Sequence, residues 1–332
     1  MHWQGVRMTL LLRRAFFYLV TAFVALSLNF LLPRMIPGDP VSRMLQRFQG
    51  HLDPHAVFAL RALYGQTNEG LWSQYLDYWS RLLHGDFGVS FSNYPTKVTT
   101  IIGQGLPWTL GLIGACTILS FVIGTALGTV AGWKRGGWVD GLIPVTTFLT
   151  SVPYFWFGLI AVYLFAVELR WFPLAGGYTP GIEQGFNFAF IDNVLEHAML
   201  PALTIVVSSV GYWLLGMRNM MVTTLAEDYV LLAKAKGLSR RRVMNTYAGR
   251  NAVLPSLAGF ALSMGFIVGG SIITEVVFNY PGIGYTLFQA IGGQDYPLMQ
   301  GIFFIITVAV LGANLVADLV YVLLDPRTRR AA

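Results

Sequence analysis

Residues 106–132 read LPWTLGLIGACTILSFVIGTALGTVAG, a run with no charged side chain. A hydrocarbon core of roughly 30 Å needs about twenty apolar residues in helical form, so this run is long enough to cross a bilayer. It is rich in small residues: Gly111, Gly114, Ala115, Gly124, Ala126, Gly128 and Gly132. Gly124 and Gly128 have the GxxxG spacing that lets two helix backbones approach closely. That spacing is common and decides nothing alone, but the rest of the chain has the same character. Of 332 residues, 55% are hydrophobic and only 11% charged, against about a quarter charged in soluble domains. The 36 glycines agree, since glycine is commoner in membrane helices than in soluble ones. The sequence is that of an all-α, polytopic membrane protein.

Working outward, five more apolar runs qualify: 13–32, 139–166, 197–217, 254–278 and 301–324. The first stops at Pro33 and follows Arg13 and Arg14, as in a signal peptide. No small-x-small cleavage site comes after it, so it reads as an uncleaved signal anchor. The run 139–166, third in chain order, contains Pro144 and Pro153, which membrane helices tolerate as kinks. Six spans put both termini on one side. An inside N-terminus places fifteen Lys and Arg inside and seven outside, and six of those seven fall in one long segment, 33–103. Long segments translocate largely regardless of charge, so the positive-inside rule gives N-in and C-in.

The expected organisation is therefore a cytoplasmic N-terminus and first helix (1–32), an external segment (33–103), a transmembrane core (104–325) with a cytoplasmic loop at 219–253, and a cytoplasmic tail (326–332). Within the external segment, Leu71, Tyr75, Tyr78, Trp79 and Leu82 recur at helical spacing. That stretch is either a docking surface for an external partner or a cap packed on the outer ends of the helices.

Several chemistries lack their residues. The single cysteine, Cys116, allows no internal disulfide and no cysteine cluster for a metal. There is no GxxxxGK[ST], and not even a Gly-Lys pair, so no nucleotide phosphate can be cradled in a P-loop. HExxH and GxSxG are also missing. His51 and His55 are four apart but are separated by Pro54 and lack an acidic or cysteine partner in register. No enzyme activity, bound cofactor or metal is expected. The net charge of +6 sits in loops, where membrane orientation explains it better than nucleic acid does. Two carboxylates fall inside apolar runs, Glu275 and Asp318. An isolated charge in hydrocarbon is costly, so each is expected to find a partner at a helix contact. A proton relay would need a chain of such groups.

One stretch reads differently from the rest. Ala226–Pro255, AEDYVLLAKAKGLSRRRVMNTYAGRNAVLP, carries seven of the 22 Lys and Arg once Arg218 upstream is counted with it. Residues 226–236 are good helix formers, with Thr223 or Thr224 available as a cap. Gly237 can end that helix with a positive φ, and Ser239 can cap a second. Arg240, Arg241 and Arg242 would then occupy the second helix's first turn, where the macrodipole disfavours cations. Such cations suggest anionic neighbours, either lipid phosphates or an acidic partner surface. Val243, Met244, Tyr247 and Ala248 give this second helix an apolar face.

Asp228–Pro255 resembles the EAA-type cytoplasmic loop of ABC-transporter permeases, in the longer form of the dipeptide/oligopeptide permease family. The resemblance continues in order through IPGDPV (36–41), GDFGVSF (85–91), SVPYFWFGL (151–159), HAMLPALT (197–204), TEVVFNYPGIG (274–284), DYPLMQG (295–301) and LLDPRTR (323–329). Where the general pattern has Glu-Ala-Ala, this chain has Leu231, Leu232 and Ala233. The resemblance implies a permease subunit of a type I importer in a prokaryotic cell membrane. Its implied partners are a second homologous permease, cytoplasmic ATPase subunits that bind the ATP, and an external solute-binding protein. It assigns coupling to the ATPase to Glu227, Asp228, Ala233, Lys234, Gly237, Leu238 and Ser239. It leaves Pro153, Phe155, Trp156, Glu275 and Asp318 as helix-packing or pathway residues. Relatives carry di- and oligopeptides, nickel chelates, glutathione or oligosaccharides, with peptides the first expectation here. A self-sufficient secondary transporter would want charges along a path or inverted repeats, and neither is visible.

Overall fold

The structure, a computed structural model, describes the backbone of residues 2–35, 70–269 and 272–324, and the side chains of 16–35, 70–269 and 272–318. IPGDPV, His51, His55 and the tail 326–332 lie outside the described residues. Among the described residues there is one isolated β-bridge, Val89 with Lys97, and otherwise helix, turn and coil.

Four helices are individually long and apolar enough to cross a membrane. They are α1 (His2–Met35), α3 (Val98–Trp133), α6 (Phe188–Thr224) and α12 (Tyr296–Leu324). Between α1 and α3 lies the short α2 (Leu71–Leu83). Helix α1 does not stop at Pro33 as expected but passes through it to Met35. Proline's own φ is helical, and the first cost of its ring falls on the preceding turn.

The third expected span is broken. Asp140–Ser151 (α4) and Tyr154–Glu168 (α5) meet at 89°. Val152, forced out of the helical region by the ring of Pro153, is extended with ψ 132°. The fifth expected span is also divided. Leu254–Ile267 (α9) is only 14 residues long, and Ile272–Val277 (α10) is a separate turn of helix. After the connection through Pro281, Ile283–Gly293 (α11) leads into α12. By length and composition, then, the described chain has four whole spans, one bent pair and one shorter apolar helix.

Helices α3 and α6 form the central seam. Gly124, Gly128 and Gly132 stand one turn apart along α3 and face Trp213, Leu214, Met217 and Met221 of α6. A Cβ on Gly124 would lie 2.5 Å from Cβ of Trp213. One on Gly128 would lie 2.5 Å from the carbonyl oxygen of Leu214, and one on Gly132 2.5 Å from Cβ of Met221. The GxxxG spacing read from the sequence is thus one link of a longer glycine stripe, and the backbone-to-backbone approach needs all three. Gly211 on another face of α6 does the same for α4, its missing Cβ lying 2.6 Å from the Thr146 carbonyl. Helix α1 is joined to α12 by Tyr18, whose hydroxyl donates to Asp318 at 3.0 Å, and by Asn29 opposite Thr307. Asp318 therefore has a partner at a helix contact.

Candidate functional site

The Ala226–Pro255 stretch folds onto one end of the α3–α6 seam. Helix α6 runs to Thr224, so Thr223 and Thr224 lie in its last turn and do not cap the next helix. Their carbonyls accept from the amides of Ala226 and Glu227 at 3.1 Å, turning the chain. Glu227, extended, is the N-cap of Asp228–Ala235 (α7). Asp228 in its first turn complements the positive helix end.

Helix α7 has two different sides. Val230 and Ala233, three residues apart, are completely buried against Met217 and Met221 of α6 and Val243, Ala248 and Ala252 beyond it. On the other side Leu231 is 49% and Leu232 55% exposed, with Tyr229 beside them. The helix ends at Gly237, φ +75°, whose amide donates to the Lys234 carbonyl while the Leu238 amide reaches the Ala233 carbonyl. This pair of bonds is a Schellman cap, which requires the left-handed conformation at its glycine. A Cβ at Gly237 would meet nothing within 4 Å. Alanine there costs only the conformational strain, about 1 kcal/mol.

Residues 240–252 (α8) return toward α9, helical throughout with a π turn at Val243–Gly249. Ser239 stands at the N-cap position without a side-chain capping bond. Arg240, Arg241 and Arg242 are exposed. The apolar face expected from the sequence is the packed one: Val243 and Ala248 are buried, Met244 and Tyr247 half-buried. The side chain of Asn251 donates to the Tyr229 hydroxyl at 2.9 Å, tying α8 to α7. Arg218 does not belong with these exposed cations. Its Nε donates to Asp140 at 3.0 Å, and the second oxygen of Asp140 accepts from the Gly136 amide. That clamp joins the α3–α4 turn to the last two turns of α6. Arg135 adds a bond to the Val222 carbonyl.

Above this loop a cleft of about 1120 Å³ opens between α3, the α4–α5 bend, α6 and α9. Its walls alternate apolar groups with hydroxyls and an amide, among them Thr117, Ser208, Tyr212, Asn219, Ser256 and Ser263. Among the described residues, no charged side chain lines it. The surface can solvate a polar solute without holding an ion of either sign.

Residues 124–330, which include the glycine stripe, the loop and most of the cleft, match the profile of the family described as the binding-protein-dependent transport system inner membrane component. The chain belongs to that family. It is also 35% identical to the di/tripeptide transport system permease protein DppB of Pseudomonas aeruginosa, over 96% of this chain and 97% of that one. A probable peptide ABC transporter permease protein of Sinorhizobium fredii is 36% identical over 90% of this chain and 92% of its own. The oligopeptide transport system permease protein AppB of Bacillus subtilis is 32% identical over the same shares. The chain is an ABC permease subunit of the dipeptide/oligopeptide type.

In this permease the residues singled out for coupling divide by position. Glu227, Asp228, Lys234, Gly237 and Ser239 are exposed. Ala233 is buried and Leu238 half-buried, so these two hold the loop against the seam. Lys234 reaches back over the ring of Trp133, 5.9 Å from its centroid. Leu231 and Leu232, which the sequence showed only as departures from the Glu-Ala-Ala pattern, form the exposed apolar patch. Their signal was that very departure: two leucines in a cationic loop.

None of the five packing or pathway candidates lines the cleft, although Thr150 and Tyr154 beside Pro153 do. Phe155 is half-buried, and Trp156 points outward at 58% exposure. Glu275, at α10, is fully buried at the opposite end of the molecule. Its carboxylate accepts from the Thr109 hydroxyl at 2.8 Å and the Tyr285 amide at 3.0 Å. The same Thr109 hydroxyl accepts from the Ile283 amide, so the start of α11 is gripped by both residues. Gly282 and Gly284 leave the space the carboxylate fills. Asp295, also fully buried, caps α12 through the Leu298 amide and accepts from Ser90 of GDFGVSF and from the Ser92 amide just after it. Three motif fragments, GDFGVSF, TEVVFNYPGIG and DYPLMQG, are thus anchored at this end through two carboxylates.

Proposed function

We propose that this permease works as one of two membrane subunits of an ATP-driven importer, and that α7 is where the ATPase pushes. The chain in this reading has six spans with both termini and the loop on the cytoplasmic side, in accord with the Lys and Arg distribution. Cytoplasmic ATPases drive the cycle, and an external solute-binding protein delivers the cargo. The supporting observation is the two-sidedness of α7. Its inner side is sealed to α6 and α8 by Val230 and Ala233, and its outer side offers Leu231 and Leu232 to water. A helix so mounted passes a displacement directly to α6, and the Asp140–Arg218 clamp carries it on to the α3–α4 turn. The uncharged, hydroxyl-lined cleft then serves as this subunit's half of the pathway. The cargo we assign is a short peptide, in keeping with the names of the relatives.

Uptake of a labelled di- or tripeptide into proteoliposomes holding both permeases, the ATPases and the binding protein tests this assignment. Uptake of an oligosaccharide instead would overturn the cargo and leave the coupling role standing. In the same assay Gly237→Ala is expected to retain most uptake, since only its φ is strained. Gly237→Pro loses the amide bond to Lys234 and cannot adopt φ +75°. It is expected to abolish both uptake and stimulated ATP hydrolysis while the chain still inserts. Normal uptake by Gly237→Pro would remove α7 from the coupling path.

A further inference from the structure

Helix α2 lies within the long segment expected to be outside the membrane, yet its contacts are with the apolar run of α1. The rings of Phe23 and Trp79 stack at 5.4 Å, and Tyr75 and Tyr78 pack on Phe30. The Tyr78 hydroxyl donates to the Leu26 carbonyl, Tyr75 shares a hydrogen bond with Ser27, and Arg34 reaches Gln74. All these α1 positions lie within Phe16–Met35, the 20-residue apolar run. At 1.5 Å per residue, Phe23 is about 18 Å from the end at Met35. Helix α2 is therefore seated along the Met35-proximal part of α1's apolar run.

Its apolar surface is wider than α1 covers. At 100° per residue, Tyr75, Tyr78 and Leu82 form one stripe, directed at α1. Trp72, Leu76 and Leu83 form the next, and they are 70%, 53% and 79% exposed. Ser73, Asp77, Ser80 and Arg81 occupy the remaining arc, with Asp77 and Arg81 paired at 2.8 Å. The neighbouring stripe of α1, namely Val24, Leu28, Leu31 and Met35, is likewise exposed and belongs to its 20-residue apolar run. The uncovered stripe of α2 thus continues the exposed apolar surface of α1. Such a division, apolar on one arc and polar on the other, is that of a helix lying in a membrane interface.

We infer that α2 is an interfacial helix, embedded edge-on in the leaflet at the Met35 end of α1, with acyl chains against Trp72, Leu76 and Leu83. This differs from both sequence expectations, a docking surface for an external protein and a cap on the helix ends. It does not depend on which leaflet is external.

Nitroxide labels on single cysteines at positions 72, 76 and 83, and separately at 73 and 80, test it in the full chain in lipid nanodiscs. Cys116 is buried, and the unsubstituted chain serves as the labelling control. Labels at 76 and 83 are expected to relax with oxygen and not with a water-soluble nickel chelate, and those at 73 and 80 the reverse. Nickel access at 76 and 83 would overturn the inference, because the stripe would then face water. Protection from both agents there would overturn it too, because a protein surface would then cover the helix. Position 76 decides alone if the variant at 83 fails to accumulate.

Discussion

Replacing Leu231 and Leu232 together by aspartate is expected to leave the permease folded in the membrane and to release the ATPase that we propose docks on α7. Both side chains are about half exposed and contribute little to the chain's own core. The neighbours that secure α7, Val230 and Ala233, remain. Burying the two leucines at a docked surface would contribute roughly 3 kcal/mol together. Losing that, and placing two carboxylates in the contact, weakens association by on the order of a hundredfold or more. The ATPase should no longer co-purify, and transport should fall to background. Leu231→Met with Leu232→Met keeps the apolar area and should retain the complex. Unchanged co-purification of the aspartate variant would place the contact elsewhere.

A second large effect is expected inside the membrane. Gly128→Leu puts a side chain where a Cβ alone would lie 2.5 Å from a carbonyl oxygen and 2.8 Å from Cβ of Met217. Backbone cannot yield as a flexible side-chain tip can, so α3 and α6 must separate. The cost should reach or exceed about 3 kcal/mol, the upper part of the range for overpacking. Separation also disturbs Met217 and Met221, the floor on which α7 rests. The variant should be lost to proteolysis in the membrane, or survive with an unseated loop. Gly111→Leu, at a glycine whose Cβ meets nothing within 4 Å, should be tolerated. Equal abundance and equal transport of the two variants would show that the glycine stripe is not a seam.

What could be read in the sequence was local and periodic. The glycine stripe comes from a four-residue repeat, the end of α7 from a glycine among helix formers, and the amphipathic α2 from its aromatic spacing. Pro153 announced a kink, though not an 89° break. The uniformly apolar 254–278 run hid its division into α9 and α10, because hydropathy does not register where a helix stops. Glu275 and Asp295 could not be paired from sequence. Their partners Thr109 and Ser90 lie 166 and 205 residues away, and hydroxyls and backbone amides leave no charge signature. Arg218 looked like part of the basic loop because its partner Asp140 lies two helices earlier. Leu231 and Leu232 were legible only as residue types. Composition says that a leucine prefers burial and leaves open whether its own chain or another supplies the cover.

The most direct test is a photocrosslinker placed at position 232 in cells making the complete transporter. Benzoylphenylalanine there should give one principal adduct, with the mass of permease plus ATPase subunit, whose yield changes when ATP is depleted. The same group at Val122, exposed on the apolar surface of α3, should give none. An ATPase adduct missing at 232 but formed from another loop of this permease would contradict the assignment of α7 as the coupling helix.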